Sequence, residues 1–204
     1  MEKIAPHTKH GRFTLLAVVA AFLLPILIAW LLTSGVLPWM PKGRLNYGRV
    51  LEPTVSLQEM RFTGASGSEA SLERRYGEWT MATIAGEPCE EHCRRNLEDM
   101  KRVHLAMREQ TDRVRRIVLL GNGREEPALV EMLERLHIDY YFTDVQTLSQ
   151  RLQSVQAVTD AEGIQDRIIF IDYASRAMMI YQPAAELGGV TKDLKRLLQA
   201  SRTN

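Results

Sequence analysis

Residues 13–32 read FTLLAVVAAFLLPILIAWLL, a run of 20 residues without one charged side chain. At 1.5 Å of rise per residue, a helix of that length matches a hydrocarbon core roughly 30 Å thick. A backbone in lipid must satisfy its own N–H and C=O groups, so the run has to be helical if it crosses a membrane. Pro25 removes one intrahelical bond, which predicts a kink within an intact span. Trp30 and Trp39 stand near the outer end, where indole rings suit the interface. The alternative is a cleaved signal peptide, whose apolar stretch is normally about 7–15 residues and is followed by an A-x-A-like site. Here the run is longer and Ser34-Gly35-Val36 follows it, which favours an uncleaved anchor.

The flanking charges nearly balance: Lys3, Lys9 and Arg12 precede the span, and Lys42, Arg44 and Arg49 follow it. Orientation therefore rests on the order of parts, a short leader in front and a large polar domain behind, because long domains translocate largely regardless of charge. The expected layout is a cytoplasmic leader (residues 1–12), a transmembrane anchor (13–33), a Pro- and Gly-bearing linker (34–56) and one folded domain (57–204). The protein would then be a single-pass protein of a bacterial inner membrane with its C-terminal domain in the periplasm. With 26 basic against 25 acidic residues the net charge is +1, so the clustered basic surface of a nucleic-acid binder is not indicated. Arg113-Val114-Arg115-Arg116 is read as a solvated helix end and strand start.

Within the domain, residues 78–85 (EWTMATIA) have the composition of a buried strand and end at Gly86 and Pro88. From Glu90 to about Glu109, Leu97, Met100, Val103, His104 and Met107 recur at helical steps. Residues 114–120 form a second strand, stopped by Gly121-Asn122-Gly123, and residues 126–136 a second helix. A short strand at 140–142 and a short helix at 147–155 follow. Residues 167–172 and 177–181 flank a turn and predict an antiparallel hairpin, and a last helix spans about 189–199. An order of βαβα followed by hairpin and helix is an α/β sandwich. Gly121-Asn122-Gly123 lacks the further glycine of a dinucleotide loop.

The only two cysteines, Cys89 and Cys93, sit where the first strand gives way to the first helix of this domain. Positions four apart on a helix are about 5–6 Å apart, within reach of a disulfide. The positive helix end favours a thiolate, whereas Glu87, Glu90 and Glu91 oppose one and Arg94 and Arg95 partly compensate. Two thiolates are also soft ligands suited to Cu(I), and His92 could add a nitrogen. A purely structural disulfide is the competing reading in an oxidising compartment, although so short a loop constrains the unfolded chain little. His104 lies too far down the helix to join this site and is read as packing. His137 is read as a turn or surface residue, and Met81, Met178 and Met179 as core fillers.

Gly77-Glu78-Trp79 leading into a strand, a CxxxC motif opening a long helix, and Arg167-Ile168-Ile169-Phe170-Ile171-Asp172 leading into a hairpin resemble the Sco/SenC family. Its members are membrane-anchored, thioredoxin-like proteins associated with copper delivery to cytochrome c oxidase. The resemblance covers roughly residue 57 to the end, together with the single anchor. It implies a thioredoxin-like sandwich, with Cys89 and Cys93 as redox-active or copper-binding residues. Implied partners are a respiratory oxidase subunit or its assembly factors, and a thiol-disulfide partner protein. The family's distant histidine would fall near residues 163–167, where this chain has Gly163-Ile164-Gln165-Asp166-Arg167. Arg94 replaces the family's proline after the second cysteine. The resemblance thus implies a divergent member whose dithiol could take Cu(I) but lacks donors for Cu(II). By motif analogy Cys89, at the more exposed position ahead of the helix, is the attacking thiol and Cys93 the resolving one. A non-catalytic docking factor with a structural disulfide is the alternative.

Overall fold

The computed structural model describes residues 9–34, 46–121, 126–155 and 163–201, in two units, Met1–Arg44 and Leu45–Asn204. In the first unit, helix α1 (Lys9–Thr33) runs through Pro25 without a break. Phe13, Leu16, Phe22, Ile26 and Trp30 are all exposed on it, and Phe13–Leu31 is long and apolar enough to cross a membrane. A helix that is apolar all round is stable only in apolar surroundings. Trp39 lies outside the described residues.

The second unit is built around β4 (Trp79–Ile84), whose six side chains are all buried. Side chains alternate across a strand, so Trp79 and Met81 enter one hydrophobic core while Ala82 and Ile84 enter another. A strand buried on both faces belongs at the centre of a sheet covered on both sides. Next to it lie β5 (Val114–Leu120), parallel, and β7 (Ile168–Ile171), antiparallel. Outward from β5 come β6 (Asp139–Phe142), β2 (Phe62–Gly64) and β3 (Glu69–Ala70); outward from β7 come β8 (Arg176–Ile180) and β1 (Arg49–Ser56). The full order is β1-β8-β7-β4-β5-β6-β2-β3.

Helices α2 (Glu91–Leu105), α3 (Pro127–Leu136) and α5 (Leu187–Ala200) supply one core through Leu97, Met100 and Val103, through Leu129 and Leu133, and through Val190, Leu194 and Leu198. Helix α4 (Val145–Ser154) places Leu148 and Leu152 in the core on the other face. This is the thioredoxin-like α/β sandwich expected from the sequence. The helix expected to reach Glu109 stops at Leu105, and a 3-10 turn, Arg108–Arg113, carries the chain into β5. The Gly-Asn-Gly turn is described only at Gly121.

Three strands differ from the sequence reading. Residues 49–56, assigned above to the linker, form β1 and pair with β8, so the folded unit begins earlier than residue 57. Pro53 and a largely exposed face, with only Leu51 and Val55 buried, disguise the strand. An edge strand tolerates proline because one of its sides makes no ladder bonds. Strands β2 and β3, of three and two residues, are too short to carry a readable alternation.

The arginine run is also less solvated than expected. Half-buried Arg113 donates to the carbonyls of Gly77, at 2.6 and 3.1 Å, and of Leu198 and Ser201, at 3.1 and 2.9 Å. It thus covers orphan carbonyls at the C-terminal end of α5, where Ser201 also accepts from the Trp79 indole at 2.9 Å. Arg115 stacks on Tyr141 with its guanidinium 5.0 Å from the ring. His104, read above as packing, is half-buried and hydrogen-bonds to the segment that leads into β5. Its Nε2 lies 3.0 and 2.9 Å from the carbonyls of Thr111 and Val114, and since both can only accept, Nε2 carries the hydrogen. Burial and the Arg116 charge lower its pKa.

Asp193 fastens the start of the domain to its last helix. Its fully buried carboxylate accepts the backbone N–H groups of Tyr47 and Gly48, at 2.7 and 2.9 Å, and the Tyr181 hydroxyl at 3.0 Å. Burial, with the Asp193 charge and hydrogen bond, pushes the Tyr181 pKa far up, so the phenol stays a donor. The approach is close enough to require glycine: a Cβ on Gly48 would lie 2.6 Å from the Tyr181 ring, and one on Gly189 would lie 2.6 Å from Tyr47. Asp193→Ala strands buried donors that each cost about 1–3 kcal/mol when unmet. Chemical denaturation of Leu45–Asn204 should show a loss of roughly 3 kcal/mol, with Asp193→Asn retaining part of the stability.

Candidate functional site

A parallel strand must be followed by a crossover, and the first crossover of this sheet begins at the C-terminal end of β4. Gly86, Glu87 and Pro88 turn the chain there, Cys89 follows, and α2 begins at Glu91 with Glu90 as its N-cap. Cys93 lies in the first turn of α2. The two cysteines are joined as a disulfide with a Cα–Cα separation of 5.3 Å.

Both cysteines are buried. Cys89 is 1% exposed and Cys93 3%, and both belong to the core that includes Ala85, Leu97, Leu120 and Ile168. This corrects the expectation that Cys89 would be the more exposed. The reason is local: the turn at Glu87-Pro88 leaves those two residues in solvent and folds Cys89 back beneath the helix start.

Charged side chains hold the Cys89 peptide on both sides. Its N–H donates to Glu126 Oε2 at 3.1 Å, and its carbonyl accepts from Arg94 Nε at 3.1 Å. The loop also packs against the end of β5, where a Cβ on Gly121 would lie 2.9 Å from Glu87 Oε1. Glu91 and Arg95 form an ion pair across one turn of α2.

His92 is exposed and lies on another side of the helix from Cys93. It lines a cavity of about 20 Å³, room for a single water, with Asn96, Asp166, Ile168, Pro183 and Leu187. Asn96 ties this side together, donating to Thr83 Oγ1 at 2.8 Å and to the Asp166 carbonyl at 3.3 Å. Asp166 occupies the segment where the resemblance placed a histidine. Its backbone is in the left-handed region, φ 58°, its N–H donates to the Ile84 carbonyl at 2.8 Å, and its Oδ1 is buried without a hydrogen-bond partner. Burial raises its pKa, and Glu90 adds to the rise, while the Gly86 N–H and His92 oppose it.

Sequence reasoning found the cysteines and His92 but not Glu126, Asn96 or Asp166. The position of Asp166 was singled out only for what it lacks, and Glu126 had no signal beyond its place before Pro127. Among the described residues, no three His, Cys, Asp or Glu side chains gather as a metal site. The donor set of the reduced pair is two sulfurs, which fits Cu(I) at low coordination number and does not fit Cu(II). His137, with φ 54°, caps the end of α3 and is exposed, while Met81 and Met179 are core residues and Met178 packs against the core.

The family model described as "Transmembrane-like, thioredoxin-like, C-terminal domain" matches residues 79–201. The chain belongs to this family. The matched region begins at the first residue of β4 and ends one residue past α5, so it holds the cysteine pair and both covering layers. No curated protein matches the sequence. Among solved structures, the chain is similar to apo Sco1 from Thermus thermophilus, with a TM-score of 0.54 at 16% identity over 76% of this chain and 99% of that one. It is also similar to copper-bound ScoI from Arabidopsis thaliana, with a TM-score of 0.53 at 11% identity over 71% of this chain and 99% of that one. A third is BsSco, described as a member of the Sco family of cytochrome c oxidase assembly proteins with a disulfide switch. Its TM-score is 0.50 at 15% identity over 72% of this chain and 95% of that one. At these identities the likeness establishes a Sco-like fold.

The Asp166 carboxyl gives this site a pH signature. Because its folded pKa is raised, the native state binds more protons than the unfolded chain between the two pKa values, so stability falls as pH rises through that window. Asp166→Asn removes the penalty and can still accept from the Gly86 N–H. Unfolding free energies should therefore show the variant gaining on the wild type at pH 7 relative to pH 4. A gain independent of pH would contradict this account.

Proposed function

We propose that this protein is a membrane-anchored, periplasm-facing Sco-like protein of a bacterial inner membrane. It would assist cytochrome c oxidase assembly by dithiol/disulfide exchange at Cys89 and Cys93. The observation that carries this reading is the disulfide at the start of α2, at the C-terminal end of the central strand of a Sco-like sheet. The relatives of like fold include a Sco protein concerned with oxidase assembly and a disulfide switch.

In the reaction, the reduced chain presents Cys89 as a thiolate that attacks one sulfur of a disulfide on the partner. That bond breaks, and the other partner sulfur leaves as a thiolate and takes a proton from solvent. Cys93 then attacks the Cys89 sulfur of the mixed disulfide and releases the second partner thiol. The partner gains two electrons and two protons, and this chain is left as the disulfide described above. A dithiol reductant restores it by the same steps in reverse. Partners fitting the reading are an oxidase subunit with a cysteine pair, or an assembly factor of that oxidase.

The reduced pair could also carry Cu(I) as cargo between its two sulfurs, with His92 available only if the helix start rearranges. The burial of both cysteines favours a second reading, a non-catalytic docking factor with a structural disulfide. Fold alone does not separate the two, because one scaffold serves many functions. Cys93→Ser expressed in membranes tests the first reading. It should accumulate mixed disulfides through Cys89 with an oxidase subunit or assembly factor, identifiable by mass spectrometry. Adducts formed only through Cys93 in Cys89→Ser would reverse the assignment of the two thiols, and no adducts in either variant would leave the docking role.

A further inference from the structure

Attack on a disulfide requires the incoming thiolate to reach a sulfur from outside, along the axis of the bond, so access governs the rate. With Cys89 1% and Cys93 3% exposed, the closed site offers no such approach. One of the two must move. Cys93 is held in the first turn of α2, whereas Cys89 precedes the helix and follows an exposed turn, so Cys89 is the movable end. Among the described residues, the side chains that hydrogen-bond its peptide are Arg94, from its own helix, and Glu126, from a different element.

Glu126 is the N-cap residue of α3. An N-cap side chain ordinarily accepts from the N–H groups of its own first turn. That of Glu126 makes no such bond and instead crosses to the Cys89 N–H, 37 residues away in sequence. Its backbone carbonyl still accepts from Leu129 and Val130, at 2.9 and 3.0 Å, so the helix start does not depend on its side chain.

We propose that Glu126 is a positioning residue for the exchange reaction: its carboxylate holds the Cys89 peptide down and keeps the disulfide closed until a partner displaces it. This rests on the exchange reading above. The step it governs is attack by a dithiol, which forms a bond to the Cys89 sulfur, breaks the Cys89–Cys93 bond and releases Cys93 as a thiolate that takes a proton. The second thiol of the reductant then frees Cys89, and the reductant leaves as its own disulfide.

The test uses the full chain in detergent micelles and follows reduction of the disulfide by dithiothreitol at pH 7. Loss of one hydrogen bond to a charged group predicts that Glu126→Ala is reduced roughly tenfold faster than the wild type. Glu126→Gln keeps an acceptor and should restore most of the wild-type rate. Asp193→Asn, which loosens the domain elsewhere, serves as the control for general destabilisation and should not accelerate reduction. Equal rates in wild type and Glu126→Ala, equal acceleration in the Ala and Gln variants, or acceleration matched by Asp193→Asn would each overturn the inference. The same measurement separates it from the exchange reading. A wild-type disulfide that resists while Glu126→Ala reacts upholds the hold, and capture of mixed disulfides by Cys93→Ser then decides the exchange reading separately. A reactive wild type unaffected by Glu126→Ala upholds exchange and removes the hold, and inertness of both removes both.

Discussion

The double-sided burial of β4 is the constraint on which the rest of the domain depends. Its side chains are divided between two cores, so the strand needs a neighbour on each edge and helices over both faces; the neighbours are β5, parallel, and β7, antiparallel. A parallel neighbour requires a crossover, and the crossover helix α2 must start where β4 ends. The cysteine pair stands at that start. Its location at the carboxyl end of the central strand follows from the burial of residues 79–84.

The same geometry shapes the chemistry. The first turn of a helix exposes unpaired N–H groups and carries partial positive charge, which favours a thiolate once the bond is reduced. Glu90 caps this helix without a side-chain hydrogen bond, the Glu126 carboxylate accepts from the Cys89 N–H, and Glu87 and Glu90 flank Cys89 in sequence. The helix end and the carboxylates act in opposite directions. Among the described residues no three His, Cys, Asp or Glu side chains gather around the pair, so the donors it offers when reduced are its two sulfurs.

Much of this was legible in the sequence because burial leaves periodic marks. The stripe Leu97, Met100 and Val103 on α2 and the run Val114–Leu120 on β5 declare themselves, as does the hairpin around Tyr173. Helix α1, long and apolar enough to cross a membrane, declares itself by length and lack of charge. The edge strand β1 did not, because it buries few residues and contains Pro53. The ties that hold the site were hidden for another reason. Glu126 meets Cys89, and Asp166 meets Asn96, only through the folding of distant segments, and a single glutamate before a proline has no pattern of its own. The exposure of Cys89 was misjudged because position relative to a helix does not reveal how the preceding turn packs.

The measurement that tests the central claim most directly is the reduction potential of the Cys89–Cys93 disulfide, from redox equilibration against dithiol buffers. Structural disulfides of secreted proteins typically lie below about −300 mV, whereas exchanging ones are more oxidising. Exchange at this site predicts a value above that limit, with reduction complete in the folded protein. A value well below it would contradict the account and make the disulfide a structural staple.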